Sequence, residues 1–403
     1  MTNRTDLIHH DYLPPSEFEA PQVGVFKAST VIFPNVATMR TRDWMNKSAY
    51  TYGLHGTPTT FTLEERLATL EGGKHCILMP SGLAAIAHVD FALLKTGDEV
   101  LIPDNAYAPN KSLAEGELAK FGITHQMYDP LDVNDLAARI TPRTRLVWLE
   151  AAGSVTMEFP DLIALVKLCK AREVLCVLDN TWGAGLAFNA FDLTPGHGAL
   201  GVDLTVHALT KYPSGGGDVL MGSIVTRSDE LARVLKLTHM RLGTGVGAND
   251  AEMVLRSLAS MPLRYKEQDT AARILASWCS SQPAFSQVLH PALSSAPGHA
   301  HWQQICVTSQ KPEGLAAGIF SVVMNEKITS KQVDAFCDAL KLFKIGYSWG
   351  GPMSLVMPYN MTSIRMRSVS HLTRGWVVRF CIGLEAVSDL QDDLLQALDI
   401  AKI

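Results

Sequence analysis

The sequence predicts an α/β protein: a mostly parallel sheet covered by helices on both faces, followed by a smaller α+β unit. Two observations carry that reading. Between about residue 60 and 225, short apolar runs alternate with amphipathic stretches, the pattern of repeated strand–helix–strand units. Beyond about residue 245 the alternation fades into a long helical stretch, a proline-rich loop and a few further elements. A chain of 403 residues exceeds one ordinary core. The expected organisation is an arm over 1–57, a large domain over 58–247 and a small domain over 248–403.

The first 55 or so residues show no clear element pattern and read as an arm that packs on something, a second subunit being one candidate. Thr62-Leu63-Glu64-Glu65 has the form of a capping box. It would open a helix with Leu63, Leu67 and Leu70 on one face, closed at Gly72-Gly73. Strands are expected at Cys76–Met79, Glu99–Ile102, Thr124–Tyr128, Leu146–Leu149, Val174–Leu178 and Leu204–Ala208. Helices between them are expected at Leu83–Leu94, Lys111–Phe121, Val133–Ile140 and Asp161–Ala171. A further helix should run from Asp250 to about Ser280 with a break or kink at Pro262. Later come strands at Gly318–Val323 and Val377–Ile382, and helices at Ser330–Leu342 and Asp389–Ala401.

Composition narrows the function. With 19% charged residues, 47% hydrophobic residues and a net charge of −5, the chain is globular and has no general pull toward nucleic acid or anionic lipid. The seven cysteines are odd in number, lack any CxxC and sit among apolar neighbours, so they are expected to be reduced core residues. The polar start, with His9-His10-Asp11, is unlike a signal peptide, and no apolar run reaches the roughly 20 residues of a membrane span. A cytoplasmic protein is expected. His299-Ala300-His301, read as part of a loop, lacks the carboxylate or cysteine cluster of a metal site, and no metal is expected.

In an open α/β sheet, ligands gather at the carboxyl ends of the strands. Three features fall there. The run Val174–Leu178 leads into Asp179, a carboxylate that needs a cation or donors beside an apolar strand. By itself it could be a turn or capping aspartate. Leu204–Ala208 leads into Leu209-Thr210-Lys211, followed by the glycine turn Gly215-Gly216-Gly217; a lysine desolvated there becomes a nucleophile toward an aldehyde. By itself it could be an exposed loop lysine. Pro80-Ser81-Gly82-Leu83 joins a strand to a helix whose first N–H groups can seat a phosphate, or simply caps it. Together the three match what a phosphorylated pyridine aldehyde requires: an anion seat, an acid for the ring nitrogen and an amine for the aldehyde.

The chain resembles the Cys/Met-metabolism family of pyridoxal-phosphate enzymes, of fold type I, from about residue 25 to the C-terminus. The matching stretches are Tyr52-Gly53-Leu54-His55-Gly56-Thr57-Pro58-Thr59, Leu70-Glu71-Gly72-Gly73, Pro80-Ser81-Gly82, Asn105-Ala106-Tyr107 and Glu150 through Glu158. They continue with Leu178 through Trp182, Thr210-Lys211-Tyr212, Gly217-Asp218, His290 through Leu293, Tyr347 through Gly351, and Arg379 before Ile382-Gly383-Leu384-Glu385. Within the family the resemblance is to its bacterial cystathionine β-lyases, because γ-acting relatives usually carry Leu where Trp349 stands.

The resemblance implies pyridoxal 5'-phosphate as cofactor. It implies that Lys211 takes the cofactor aldehyde and moves protons, that Asp179 pairs with the pyridine nitrogen and that Tyr107 stacks on the ring. Gly82, Leu83 and Thr210 would help seat the phosphate, Arg379 would grip the substrate α-carboxylate, and Ser348 and Trp349 would border the substrate. Tyr52 would reach in from a neighbouring subunit of a homo-oligomer, a dimer of dimers. The implied reaction is cleavage of a cysteine thioether, such as cystathionine, to a thiol, pyruvate and ammonia. A γ-acting enzyme on a homoserine or homocysteine derivative and a non-catalytic regulatory homologue are the alternatives. The family usually carries Arg two residues after Tyr52, where this chain has Leu54; Arg40, Arg42 and His55 are candidates to replace that contact. Ala208 stands where relatives often have Ser.

Overall fold

A seven-stranded sheet with the order β1-β7-β6-β5-β4-β2-β3 forms the larger layer of the molecule. The computed structural model describes Thr5 and residues 22–195, 200–361, 365 and 370–403. The strands are β1 (His75–Met79), β2 (Glu99–Pro103), β3 (Thr124–Tyr128), β4 (Thr144–Glu150), β5 (Leu175–Asp179), β6 (Leu204–Ala208) and β7 (Gly222–Thr226). All pairings from β6 through β3 are parallel, while β7 runs antiparallel to both β1 and β6. The six strands expected in this region are present within one or two residues at their ends. The missed β7, Gly-Ser-Ile-Val-Thr, follows a glycine-rich turn, which masked it as loop.

Strand periodicity explains why both faces are covered. Ile77, Val100, Ile102, Leu146, Trp148, Val177, Leu204 and Val206 pack with Ala85, Ile86 and Val89 of the helix Gly82–Leu93. Their neighbours in sequence, among them Leu78, Leu101, Val147, Leu149, Cys176 and Leu178, pack with Leu63, Leu67 and Leu70 and with Leu162, Leu165 and Val166 on the other side. Side chains alternate between faces, so strands apolar throughout need helices on both.

A second, five-stranded sheet has the order β10-β11-β12-β9-β8, with β8 (Phe285–Leu289), β9 (Ile319–Met324), β10 (Lys344–Ile345), β11 (Leu355–Tyr359) and β12 (Val377–Cys381). The helices Ser330–Ala339 and Val387–Ala401 cover it. The expected β9 and β12 are there; β8 is half-polar, β10 has two residues and β11 contains Pro358, which reads against a strand. The helix Met261–Cys279 serves both layers. Met261 and Tyr265 enter the large core, and Ala271 through Cys279 enter the small one.

Some expected elements differ in detail. The first long helix is Pro58–Glu71 and begins earlier than Thr62: Thr57 is its N-cap, in a reciprocal box with Thr60. Thr62 Oγ1 instead donates to Pro58 O at 2.7 Å inside the helix, and Glu65 pairs with Lys47. The helix ends at Gly72 with φ 78°, as the glycine pair implied. The break near Pro262 falls between Leu258 and Met261, leaving the proline in a first turn, where its missing N–H costs nothing. The stretch expected as Lys111–Phe121 is a helix Ala108–Leu113 continued by one π-turn, Ala114–Leu118. His299 and His301 begin the helix His299–Cys306 instead of lying in a loop. All seven cysteines are free and buried, as expected. Among the described residues, no helix is long and apolar enough to cross a membrane.

Candidate active site

The carboxyl ends of β4, β5 and β6 present three functional side chains on one edge. Asp179 closes β5, in register with Glu150 of β4 and Val206 of β6. The next turn ties the strands together. Thr181 N donates to Asp179 Oδ1 at 3.0 Å, and Thr181 Oγ1 accepts from Ala208 N at 2.9 Å. Burial pushes the Asp179 carboxyl up, and the Thr181 contacts with the charges of His207 and Lys211 pull it back. Lys211 lies in the turn after β6. Burial lowers its ammonium pKa, and the nearby Arg379 charge lowers it further, against the opposing pull of Asp179. That leaves an amine closer to its neutral, nucleophilic form than an exposed lysine.

Tyr107 stands before the helix Ala108–Leu113, with its backbone N–H on Glu150 Oε2 at 2.8 Å. The residue is 41% exposed, and burial followed by the charges of Asp179 and Glu150 raises its phenol. The phenol therefore remains a donor. Burial and the facing Asp179 also push the Glu150 carboxyl well up.

At the other end of this edge, Ser81 caps the helix Gly82–Leu93, its Oγ accepting from Ala84 N at 3.0 Å. The amides of Gly82 and Leu83 are first-turn donors with no acceptor inside the helix. Gly82 is required by packing: a Cβ there would sit 2.6 Å from Ala208 Cβ. The glycine lets the helix end close onto β6, and Ala208, where a larger residue would intrude, completes the fit. Thr210 Oγ1 accepts from Met221 N at 3.4 Å, beside the same turn.

The opposite wall comes from the small sheet. Lys211 Nζ donates to Ser348 Oγ at 2.9 Å and lies 5.8 Å from the Trp349 ring. Ser348 has φ 93°, a region unfavourable for a residue with a Cβ, and its carbonyl accepts from Cys381 Sγ at 3.2 Å. Trp349 packs edge-on against Tyr212 with ring centroids 5.6 Å apart, and Gln268 Nε2 donates to Gly351 O at 2.7 Å. Arg379, on β12, is 5% exposed; one terminal amine donates to Ser154 O at 3.1 Å, and its guanidinium lies 5.3 Å from the Tyr359 ring. Its buried Nε has no protein acceptor. A buried, half-used guanidinium is a ready seat for a carboxylate.

Tyr52 makes its contacts within the arm. It forms an isolated bridge with Thr30, accepts from Ser29 Oγ at 3.4 Å, and its ring lies 5.8 Å from His55. Arg42 is engaged with Met39 O and His55 with Thr51 Oγ1. The sequence reading missed Thr181 and Cys381 as structural supports of the site. Cys381 could have been found, since it sits two residues from Arg379 on the same strand and therefore on the same face.

The profile of the family described as "Cys/Met metabolism PLP-dependent enzyme" matches residues 4–399. The chain belongs to this family. A cystathionine β-lyase of Salmonella typhimurium is 34% identical over 91% of this chain and 91% of its own length. One from Bordetella avium is 36% identical over 93% of this chain and 91% of its own. The crystal structure of metB from Corynebacterium glutamicum superposes with a TM-score of 0.86 at 26% identity, covering 99% of this chain and 98% of that one.

As a member of the Cys/Met-metabolism family, the protein has fold type I and uses pyridoxal 5'-phosphate. The residues present fit that cofactor. A helix end pressed close by Gly82 offers amides to a phosphate. A desolvated carboxyl stands at Asp179 and a desolvated amine at Lys211, as the two ends of a pyridine aldehyde demand.

Proposed function

We propose that this chain is a carbon–sulfur β-lyase that cleaves cystathionine or a related cysteine thioether to a thiol, pyruvate and ammonia. The observation that carries the reading is the Lys211–Ser348 hydrogen bond at 2.9 Å against the face of Trp349, beside the buried Arg379. It places the reactive amine at the substrate wall, with a bulky apolar side chain next to it. The names of the relatives support the same reading.

Arg379 takes the substrate α-carboxylate on its guanidinium, while Ser154 O holds one of the terminal amines. A two-pronged grip of this kind fixes the direction of the Cα–H bond. When bound, pyridoxal phosphate supplies the electron sink for the charge left at Cα. Asp179 provides the negative charge that keeps a pyridine nitrogen protonated, and Tyr107 presents its ring beside it. Lys211, aimed by Ser348 Oγ, removes the Cα proton and delivers it to the departing sulfur. Gly82, Leu83 and Thr210 seat the phosphate. Trp349 walls the side where the thioether chain extends and keeps water from the reacting carbon.

Tyr52 completes the site from a second copy of the chain. Support comes from the arm itself, where Ile32 is 86% and Val36 57% exposed, with Val25 and Phe26 also open, an apolar strip that a neighbouring subunit would cover. A homo-oligomer, a dimer of dimers, working in the cytoplasm completes the proposal.

The deciding experiment incubates the purified protein with cystathionine and identifies the keto acid. Pyruvate is expected. 2-Oxobutyrate would move the chain to the γ-acting group, and a colourless protein that takes up no pyridoxal phosphate would point to a non-catalytic homologue.

A further inference from the structure

Behind the cofactor edge lies a buried polar cluster that the chemistry above does not use. Glu71, the last residue of the helix Pro58–Glu71, is 1% exposed. One of its carboxylate oxygens accepts from Asn180 Nδ2 at 2.6 Å, and the other is 2.9 Å from His207 Nδ1. Asn180 is 0% and His207 1% exposed. A carboxylate so deeply placed is costly unless both oxygens are matched. Here one partner, Asn180, directly follows β5 and the other, His207, stands on β6.

Asn180 directly follows Asp179, and its own N–H donates to Val206 O at 2.8 Å. His207 sits next to Ala208, four residues before Lys211, on the face of β6 opposite to the one on which Ala208 meets Gly82. One side chain therefore clips together, from the far face, the two strand ends that carry the acid and the amine. We propose that Glu71 is a positioning residue for the cofactor site. It sets the spacing of Asp179 and Lys211 through Asn180 and His207 and fixes His207 with Nδ1 donating. The inference rests on the cofactor roles of Asp179 and Lys211 proposed above.

The charges involved come from several elements. Asp179 is faced by Glu150 of β4, by Tyr107, by His207 of β6 and by Lys211; Glu71 is faced by Cys76 of β1 as well as by its two partners. Small displacements of Asp179 among these groups change the proton affinity of a ring bound against it.

The test measures pyridoxal phosphate affinity and the pH midpoint of the cofactor absorbance in reconstituted protein, with no substrate present. Glu71→Met fills the same space and removes both ties. It should raise the dissociation constant about tenfold and move the midpoint by about one pH unit. Glu71→Gln should restore affinity to within about twofold, because its oxygen can accept from His207 while the Asn180 amide turns to accept from its nitrogen. Thr205→Val is the control: it removes a buried, unpartnered hydroxyl from the same face of β6 and should move neither quantity. Asn180→Ala severs one tie without touching the helix end and should shift both quantities partway, which keeps the test decisive if Glu71→Met does not fold.

Parent-like affinity and midpoint in Glu71→Met and Asn180→Ala would overturn the proposal. So would a Glu71→Gln variant as impaired as Glu71→Met. Because no substrate enters the measurement, a wrong substrate assignment leaves the result intact. A parent protein that binds no pyridoxal phosphate would instead refute the cofactor roles themselves.

Discussion

The two walls of the site are built on different principles. The large-sheet wall carries Asp179 and Lys211 at the ends of adjacent parallel strands, where regular pairing and the Thr181 bridge fix them. The small-sheet wall carries Ser348 and Trp349 on an irregular segment with positive φ at Ser348 and Gly350, supported one side chain at a time by Cys381, Tyr212 and Gln268. Strand ends are set by the whole sheet, whereas such a segment can be re-aimed by a few substitutions. On the proposed roles, the wall at the strand ends should therefore tolerate substitution less than the wall on the irregular segment.

Replacing the amine breaks the comparison most severely. Lys211→Ala should abolish the absorbance at about 420 nm expected of a lysine-bound cofactor and lower turnover by about 10⁴-fold or more, read by spectrum and keto-acid release. Arg379→Lys should separate the walls. A point charge cannot reproduce the two-pronged grip, so kcat/KM should fall by roughly 100-fold while the cofactor spectrum stays unchanged. A spectrum altered as much as in Lys211→Ala would mean that the two walls are not separable.

Gly350→Ala probes the seam between them and should have the smallest effect. Its φ is 79°, and a Cβ would lie 2.9 Å from Tyr212 N, so the segment must shift. A stability loss of about 1–3 kcal/mol by denaturant titration should accompany a several-fold rise in KM. A larger loss of cofactor than of substrate affinity would reverse the proposed division of labour.

Legibility in the sequence follows the same division. Strands such as Leu146–Leu149 and Val174–Leu178 announce themselves because burial on both faces makes them continuously apolar, and Asp179 stands out as the polar residue that ends such a run, while Leu204–Ala208 carries Thr205 and His207 between its apolar residues and Lys211 follows it. β7 hid behind a glycine-rich turn, and β10, two exposed residues, left no periodic trace. The start of the helix Pro58–Glu71 was misplaced because Thr57, Thr60 and Thr62 offer competing caps, and only packing selects Thr57. Glu71 was visible as part of a family motif, but its two partners lie more than a hundred residues away. No local pattern encodes that meeting. Ser348 and Trp349 were legible only through the resemblance, since nothing in Tyr347-Ser348-Trp349-Gly350-Gly351 reveals which side chain faces a lysine from another sheet.

The helix Met261–Cys279 has a bearing on motion. One end is embedded beneath the large sheet and the other beneath the small one, so a swing of the small layer would have to pull a continuous rod out of one socket. Opening and closing around a substrate would therefore fall to the loops, while the two layers travel as a single frame.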